Sequence, residues 1–222
     1  MLDDPIISDY DFDQKLRELA DLEKHYPEFF DPNSPTLRVG GTINKNFPTI
    51  THEFPMYSLD NAYSEQELFD WEKRIQKRLG TETVAYTCEL KFDGVSISLT
   101  YENGVLEQAV TRGDGTQGDE VTQNVRTIPT VPLQLRGDFT DRFAIRGEIV
   151  LPIDGFNKMN EERVALGEEP YRNPRNTASG TLKLQDSSMV AKRPLQCFLY
   201  QMIADRSLFT TQLESLQTAR KL

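Results

Sequence analysis

Cys88-Glu89-Leu90-Lys91-Phe92-Asp93-Gly94 lies near the middle of a 222-residue chain, and the rest of the sequence is organised around it. If Tyr86 to Lys91 is a strand, its period of two puts Glu89, Lys91 and Asp93 on one face, an amine between two carboxylates. A solvated sheet face carries such charges too, because cross-strand charge pairs stabilise sheets slightly. Gly94 argues for more, since a glycine directly after the run lets the backbone turn sharply or approach a ligand. A lysine at a strand end beside a bend can reach an activated phosphoryl or carbonyl centre. Only the neutral amine attacks, and a free lysine is almost fully protonated at neutral pH. Neighbouring carboxylates favour the charged form, so the stretch supplies a candidate nucleophile without its activation.

Downstream, Val95, Ile97, Leu99 and Tyr101 alternate with Ser96, Ser98 and Thr100. Asn103-Gly104 then supplies a two-residue hairpin turn and Val105 to Thr111 returns. Arg112-Gly113-Asp114-Gly115-Thr116-Gln117-Gly118 reads either as a plain tight turn or as a loop whose N–H groups cradle phosphate beside Arg112. It lacks the Gly-Lys-Ser/Thr ending of a P-loop. Phe143 to Leu151 reads as a strand with Arg146, Glu148 and Val150 on one face and Ile145, Ile149 and Leu151 on the other. Asp154 is placed to cap a helix that Gly167 closes. Residues 171–180, with Lys183, Lys192 and Arg193 beyond, form the one strongly basic stretch, suited to phosphate, to nucleic acid, or to solvent. Leu195 to Ile203 has the length of a buried strand and carries Tyr200, and Leu208, Leu213, Leu216 and Ala219 mark a last helix.

Upstream, Ser8 can cap a helix with Asp11 at the third position, and Phe12, Leu16, Leu19, Glu23 and Tyr26 fall at helical spacing. Asp9 and Asp13 share a face with Phe12 nearby, although acids in a first turn also simply complement the helix dipole. Pro27 to Pro55, rich in Pro, Asn, Thr and Gly, reads as an extended linker. Ser64 and Glu67 spell a capping box for a helix whose Leu68, Trp71, Ile75 and Leu79 are expected in the core. The pattern is α+β: a small N-terminal helical unit with its linker over 1–50, then a mostly antiparallel sheet unit over 51–222.

Thirty-five acids against 25 basic residues give a net charge of −10, which argues against nonspecific nucleic-acid affinity over the whole surface but permits a local basic patch. No apolar run approaches the roughly 18 residues of a membrane span and the amino terminus lacks a signal pattern, so no membrane partner and a cytoplasmic location are expected. Cys88 and Cys197 are read as reduced thiols in a core. Two isolated histidines, His25 and His52, give no zinc site, and no metal ligands are assigned.

With these residues laid out, the chain resembles the amino-terminal half of bacterial NAD-dependent DNA ligases over nearly its whole length. The resemblance rests on Glu89-Leu90-Lys91-Phe92-Asp93-Gly94, Thr111-Arg112-Gly113-Asp114-Gly115-Thr116, Arg146-Gly147-Glu148 and Asn173-Pro174-Arg175-Asn176, in that order. Lys-x-Asp-Gly alone is shared with ATP-dependent ligases and RNA-capping enzymes. The NAD branch is marked by Ser8-Asp9-Tyr10-Asp11-Phe12-Asp13 and by residues 55–61. The resemblance implies a nucleotidyltransferase (ATP-grasp-like) adenylation domain, incomplete at its C-terminus, preceded by part of an NMN-binding unit. It makes Lys91 the nucleophile that takes AMP from NAD, releasing nicotinamide mononucleotide, for later transfer to a DNA nick in replication and repair.

By the same resemblance Glu89 reads the adenine edge, Ser58 and Leu59 lie beside the nucleotide, Arg112 and Glu148 hold the ribose and phosphate region, and Tyr200 stacks on the base. Asp9, Tyr10, Asp11, Phe12 and Asp13 close over the nicotinamide mononucleotide half. Mg2+ is implied as a cofactor, zinc only in a region absent here. Nicked double-stranded DNA is the implied partner, with Arg175 and Lys183 as contacts, and the protein is expected to be a monomer. Phe12 stands where many relatives have Tyr, and Lys183 where they often have Arg, which turns a bidentate phosphate contact into a point charge. The family pattern continues beyond both ends, so the chain is expected to be a fragment, inactive with NAD by itself. A nucleotide-binding fragment without turnover and an ATP-using ligase or capping-type enzyme stay open as alternatives. Adhesion through Arg112-Gly113-Asp114 is disfavoured by the lack of a secretion signal and disulfides.

Overall fold

A computed structural model of the chain describes residues 9–29, 31, 34–38, 47–137, 141–204 and 209–222, with the backbone alone for residues 9, 10, 12, 13, 37 and 38. Helix α1 (Asp9–His25) is the one the 3.6-residue spacing predicts. Ser8, expected as its cap, lies outside the described residues. α1 packs against two short 3-10 turns, Pro27–Phe29 and Pro35–Arg38, and Thr36 Oγ1 donates to the Glu23 carboxylate at 2.6 Å. The linker expected over Pro27 to Pro55 is therefore partly structured. Prolines that open both turns preset the φ a helical turn needs, and Thr49–Thr51 adds a short strand, β1.

Helix α2 (Glu65–Leu79) begins at Ser64, whose hydroxyl accepts from the Glu67 N–H at 3.3 Å. The Glu67 carboxylate reaches back to the Tyr63 N–H (2.8 Å) and not to that of Ser64, so the expected capping box is only half made. None of its residues is buried, and Leu68, Trp71 and Leu79 are 54%, 42% and 64% exposed. The expectation that these residues and Ile75 form core is thus corrected: helical spacing identifies an apolar face, not what covers it. The strand expected from Tyr86 to Lys91 is also absent, since residues 83–93 join no ladder and β2 starts only at Val95.

β2 (Val95–Glu102) turns through Asn103 and Gly104, at φ 50° and 78°, into β3 (Val105–Thr111). Both angles are the left-handed ones a two-residue hairpin turn requires. β4 (Gln117–Asp119) pairs with β1, α3 (Thr122–Arg126) follows, and β5 (Arg142–Val150) pairs with β2. Three helices, α4 (Ile153–Ala165), α5 (Pro174–Leu182) and α6 (Ser187–Ala191), lead to β6 (Gln196–Ile203) and then α7 (Gln212–Ala219). The antiparallel sheet has the order β3-β2-β5-β6, and with its helices it makes the α+β fold that the periodicities predict.

Alternation decides what each sheet face does. Ile97, Leu99 and Tyr101 of β2 and Phe143, Ile145 and Ile149 of β5 are buried on one side with Val125, Ala178, Leu182 and Val190 of the helices. Burying each large aliphatic side chain contributes about 1.5–3 kcal/mol. Ser96, Ser98, Thr100, Arg146 and Glu148 alternate with them and furnish the opposite, polar face. α5 is capped by Asn173, which accepts from the Asn176 N–H (2.7 Å), with Pro174 at its first position. The basic stretch is therefore largely a packed helix, with Thr177, Ala178, Thr181 and Leu182 buried. Asp154 stands in the first turn of α4 rather than at its cap, where Pro152 makes no side-chain bond, while Gly167 closes the helix at φ 76° as expected.

Candidate functional site

A cleft of about 520 Å3 opens at one end of the polar sheet face. Ser58, Leu59, Glu89, Lys91, Arg112, Glu148 and Tyr200 all line it, although more than 140 residues separate the first from the last. Seven of the site residues expected from the sequence are thus brought together. Asp11 is exposed and does not line this cleft, and the side chains of Asp9, Tyr10, Phe12 and Asp13 lie outside the described residues. The whole run from Glu89 to Asp93 lines the cleft, so the expected separation into two strand faces does not hold.

Side-chain contacts position this run in place of a ladder. The Phe92 ring stacks on Phe198 of β6 with centroids 4.2 Å apart and planes within 8°, a geometry worth about 0.5–1.5 kcal/mol beyond burial. The Gly94 N–H donates to Glu148 Oε1 (3.1 Å), and the Ser96 hydroxyl donates to Glu148 Oε2 (2.8 Å). Glu148 is buried, so these two bonds are what make its carboxylate tolerable there. Gly94 makes a close approach to the neighbouring strand's backbone, where the sequence predicts a sharp turn or an approach to a ligand: a Cβ at that position would collide with the Ile149 carbonyl. Neither carboxylate beside Lys91 is bonded to it. Asp93 pairs with Arg175 at 3.0 Å and Glu89 accepts from Gln212 at 2.9 Å. Among the described residues the Lys91 amine has no ion pair or hydrogen bond.

The glycine-rich loop resolves toward the tight turn. The N–H groups of Asp114 and Gly115 are bonded to the Gln117 and Arg112 carbonyls, and those of Thr116 and Gln117 to the Asp114 carboxylate. Those two bonds hold the Asp114 carboxyl below the usual carboxylate range. With these four amides bonded within the loop they cannot cradle a phosphate, and Arg112 is the loop's one contribution to the cleft. Arg146, two residues from Glu148 on β5, is 9% exposed and donates to the Phe54 and Pro55 carbonyls at 2.7 and 2.9 Å. It ties to the sheet the segment that carries Tyr57, Ser58 and Leu59, and burial lowers its pKa.

Tyr200 owes its place to a β-bulge. Arg146 faces Gln201 and Gly147 faces Leu199, so Tyr200 is the extra residue on β6, and bulges commonly re-aim a side chain at a site. Burial, then the neighbouring Glu148 charge, raises its phenol pKa. The reading of 195–203 as a buried strand is corrected to a half-buried one. Sequence reasoning missed Tyr57, Ser96 and Gln212 as lining residues. Ser96 carried a signal as the polar alternate of β2 and Tyr57 as part of the 55–61 stretch, whereas Gln212 carried none. Arg175, expected on DNA, stands in the cleft, and Lys183 pairs with Asp119 at 2.7 Å. Cys88 is exposed, against the expectation of a core thiol, whereas Cys197 is buried and its thiol is pushed up to about 12.

An antiparallel sheet with a lysine, an arginine and a sheet-borne glutamate around one cleft fits a nucleotidyltransferase-type protein. The comparisons with known families agree: residues 44–222 match the NAD-dependent DNA ligase adenylation domain, and residues 1–40 match the DNA ligase-like N-terminal NAD+-binding domain. The chain belongs to the NAD-dependent DNA ligase adenylation family. It is 62% identical over 221 residues to the DNA ligase of Flavobacterium johnsoniae, covering 100% of this chain and 33% of the relative. It is 52% identical over 222 residues to that of Bacteroides fragilis, again covering 100% and 33%. The chain thus spans about a third of the length of the curated relatives it matches. Both matching families are described by their dependence on NAD or binding of it. Among the described residues no helix is long and apolar enough to cross a membrane.

Proposed function

We propose that Lys91 takes AMP from NAD as a covalent lysyl adenylate, with nicotinamide mononucleotide as the leaving group. The observation that carries this is the convergence of Lys91, Glu89, Arg112, Glu148 and Tyr200 on one cleft. The Lys91 nitrogen attacks the adenylyl phosphorus, the N–P bond forms as the pyrophosphate bond to nicotinamide mononucleotide breaks, and the amine gives up its proton. Arg112 offsets charge on the phosphoryl oxygens, Glu148 holds the ribose region, Tyr200 stacks on the base, Glu89 reads its edge, and Ser58 and Leu59 close one wall. Asp9, Tyr10, Asp11, Phe12 and Asp13 contact the nicotinamide mononucleotide half, and Mg2+ assists. Residues 1–50 form part of the NMN-binding unit with its linker, and residues 51–222 part of the adenylation unit. The boundary falls inside β1, whose pairing with β4 ties Thr51 and its neighbours to the larger unit.

In the whole protein the adenylate passes to the 5′-phosphate of nicked duplex DNA, with Arg175 and Lys183 among the contacts, in a cytoplasmic monomer. Intact mass of the whole protein after incubation with NAD and magnesium should gain one adenylyl group on Lys91, and Lys91→Ala should abolish it. An adenylate on another lysine would sink the assignment. Among the described residues the cleft's cations, Lys91, Arg112 and Arg175, are matched by Glu89, Asp93 and Glu148, and Arg175 is already engaged. The 222-residue span by itself should therefore bind an adenine nucleotide weakly at most and adenylate far more slowly than the whole protein. Equal rates would mean that Arg112 and the local backbone suffice.

A further inference from the structure

We propose that Gln212 is the positioning residue for base selectivity. It holds the Glu89 carboxylate where that group accepts a hydrogen bond from a 6-aminopurine and cannot turn to serve a 6-oxopurine. The proposal rests on the reading of Glu89 as the base contact given above.

Glu89 needs an outside support, because residues 83–93 join no ladder and its side chain is exposed. Gln212 opens α7, whose start is fixed: the Thr211 hydroxyl accepts from the Glu214 N–H and the Glu214 carboxylate from the Thr211 N–H. Buried Ser215 seats the helix beside β6. Gln212 Nε2 donates to Glu89 Oε1 at 2.9 Å and to the Tyr200 carbonyl at 2.7 Å. An amide nitrogen has two hydrogens, and both acceptors would repel an amide oxygen, so the carboxamide has one permitted orientation. The Tyr200 carbonyl is available because Tyr200 is the bulged residue, with no partner on β5 in the register. One side chain thus locks together the helix, the bulge that aims the stacking ring, and the carboxylate on the unpaired segment.

Glu89 Oε2 has no partner among the described residues. A carboxylate only accepts, so this oxygen suits the N–H of a 6-amino group and opposes a 6-oxo oxygen. A 6-oxopurine does offer a donor, its N1–H, one position away on the same edge. A freely rotating Glu89 could swing to accept it, and selectivity would vanish although the charge was unchanged. The bond from Gln212 prevents that swing.

The test measures dissociation constants of AMP and IMP by calorimetry on the 222-residue chain, for the wild type, Gln212→Ala, Glu89→Ala and Gln217→Ala, the last an exposed position on the same helix. One charge-assisted hydrogen bond should give the wild type a preference for AMP of about tenfold. Gln212→Ala should reduce the ratio to within about twofold, mainly through tighter IMP binding, whereas Gln217→Ala should keep it. Unchanged melting would show that α7 is intact. A ratio retained by Gln212→Ala but lost in Glu89→Ala overturns the role of Gln212 alone. A ratio retained by Glu89→Ala overturns the reading of Glu89, and the proposal with it. A wild-type ratio near one, or equal loss in Gln217→Ala, also overturns the proposal.

Discussion

Glu148 and Tyr200 stand on strands of a four-stranded sheet whose other face is the core, while Glu89 and Lys91 line the same cleft from a segment that pairs with no strand. The first pair inherits its position from backbone hydrogen bonds and from apolar burial on the far side of the same strands. The second pair inherits its position from four contacts with other parts of the chain: Phe92 on Phe198, Gly94 on Glu148, Asp93 on Arg175 and Glu89 on Gln212. A site can therefore combine a wall built by the ladder with a wall held by side chains. Perturbations on the second wall should change chemistry sooner than they change stability, because few buried apolar contacts depend on it.

The two thiols offer the sharpest way to break this contrast, since Cys88 lies in the unpaired segment and Cys197 on the core side of β6. Cys88 in the unpaired segment is exposed, while burial on β6 pushes Cys197 up to about 12. At pH 8 Cys197 is then overwhelmingly the neutral thiol. A disulfide reagent should titrate one thiol quickly and the second only on denaturation. Two fast thiols would mean that β6 opens as readily as residues 83–93.

Gly94→Ala strikes the junction of the two walls. The new Cβ would meet the Ile149 carbonyl and the Val150 side chain, which forces β2 and β5 apart at a cost of about 2–3 kcal/mol. The thermal midpoint should fall and adenylation with it. A neutral outcome would show that the close approach is dispensable. Tyr200→Ala, on the ladder wall, should weaken adenine-nucleotide binding by about 1–3 kcal/mol with little loss of stability. Tyr200→Phe keeps the ring and should lose far less. Equal losses would assign the contact to the hydroxyl.

The smallest effect concerns pH and the second wall's support. Hydrogen bonds from the Thr210 N–H and hydroxyl and the Thr211 N–H hold the Glu214 carboxyl below its usual range. A carboxyl depressed in the folded state contributes stability that is fully present above its unfolded value and is lost as pH falls through the folded one. The helical signal of α7 should therefore weaken as pH falls below the usual carboxylate range. Glu214→Gln should flatten that dependence, and an unaltered profile would remove Glu214 from the account. The group is exposed, so the change is small.

Much of this was legible in the residues. Val95 to Thr111 announces a hairpin, because alternation plus Asn103-Gly104 leaves the backbone one economical course. Glu148 falls opposite the core-facing side of β5 by parity alone, and Asn173-Pro174 writes a helix start that reading the stretch as merely basic overlooked. Local rules failed at Tyr86 to Lys91 and at α2. A period of two states which faces a strand would have, not whether another strand will bond to it, and an apolar stripe does not say what lies against it. The β-bulge at Tyr200 is equally silent in the sequence, being a mismatch of register between two strands. The sequence by itself determined the hairpin, the parity of the sheet, the Ser64 start of α2 and the lysine beside a close-approach glycine, since these depend on neighbours along the chain. Only the tertiary structure decided that Glu89 is held by Gln212, 123 residues away, and that Gly94 leans on Glu148. Such contacts arise where side chains distant in the chain meet in space, and no local spacing encodes them.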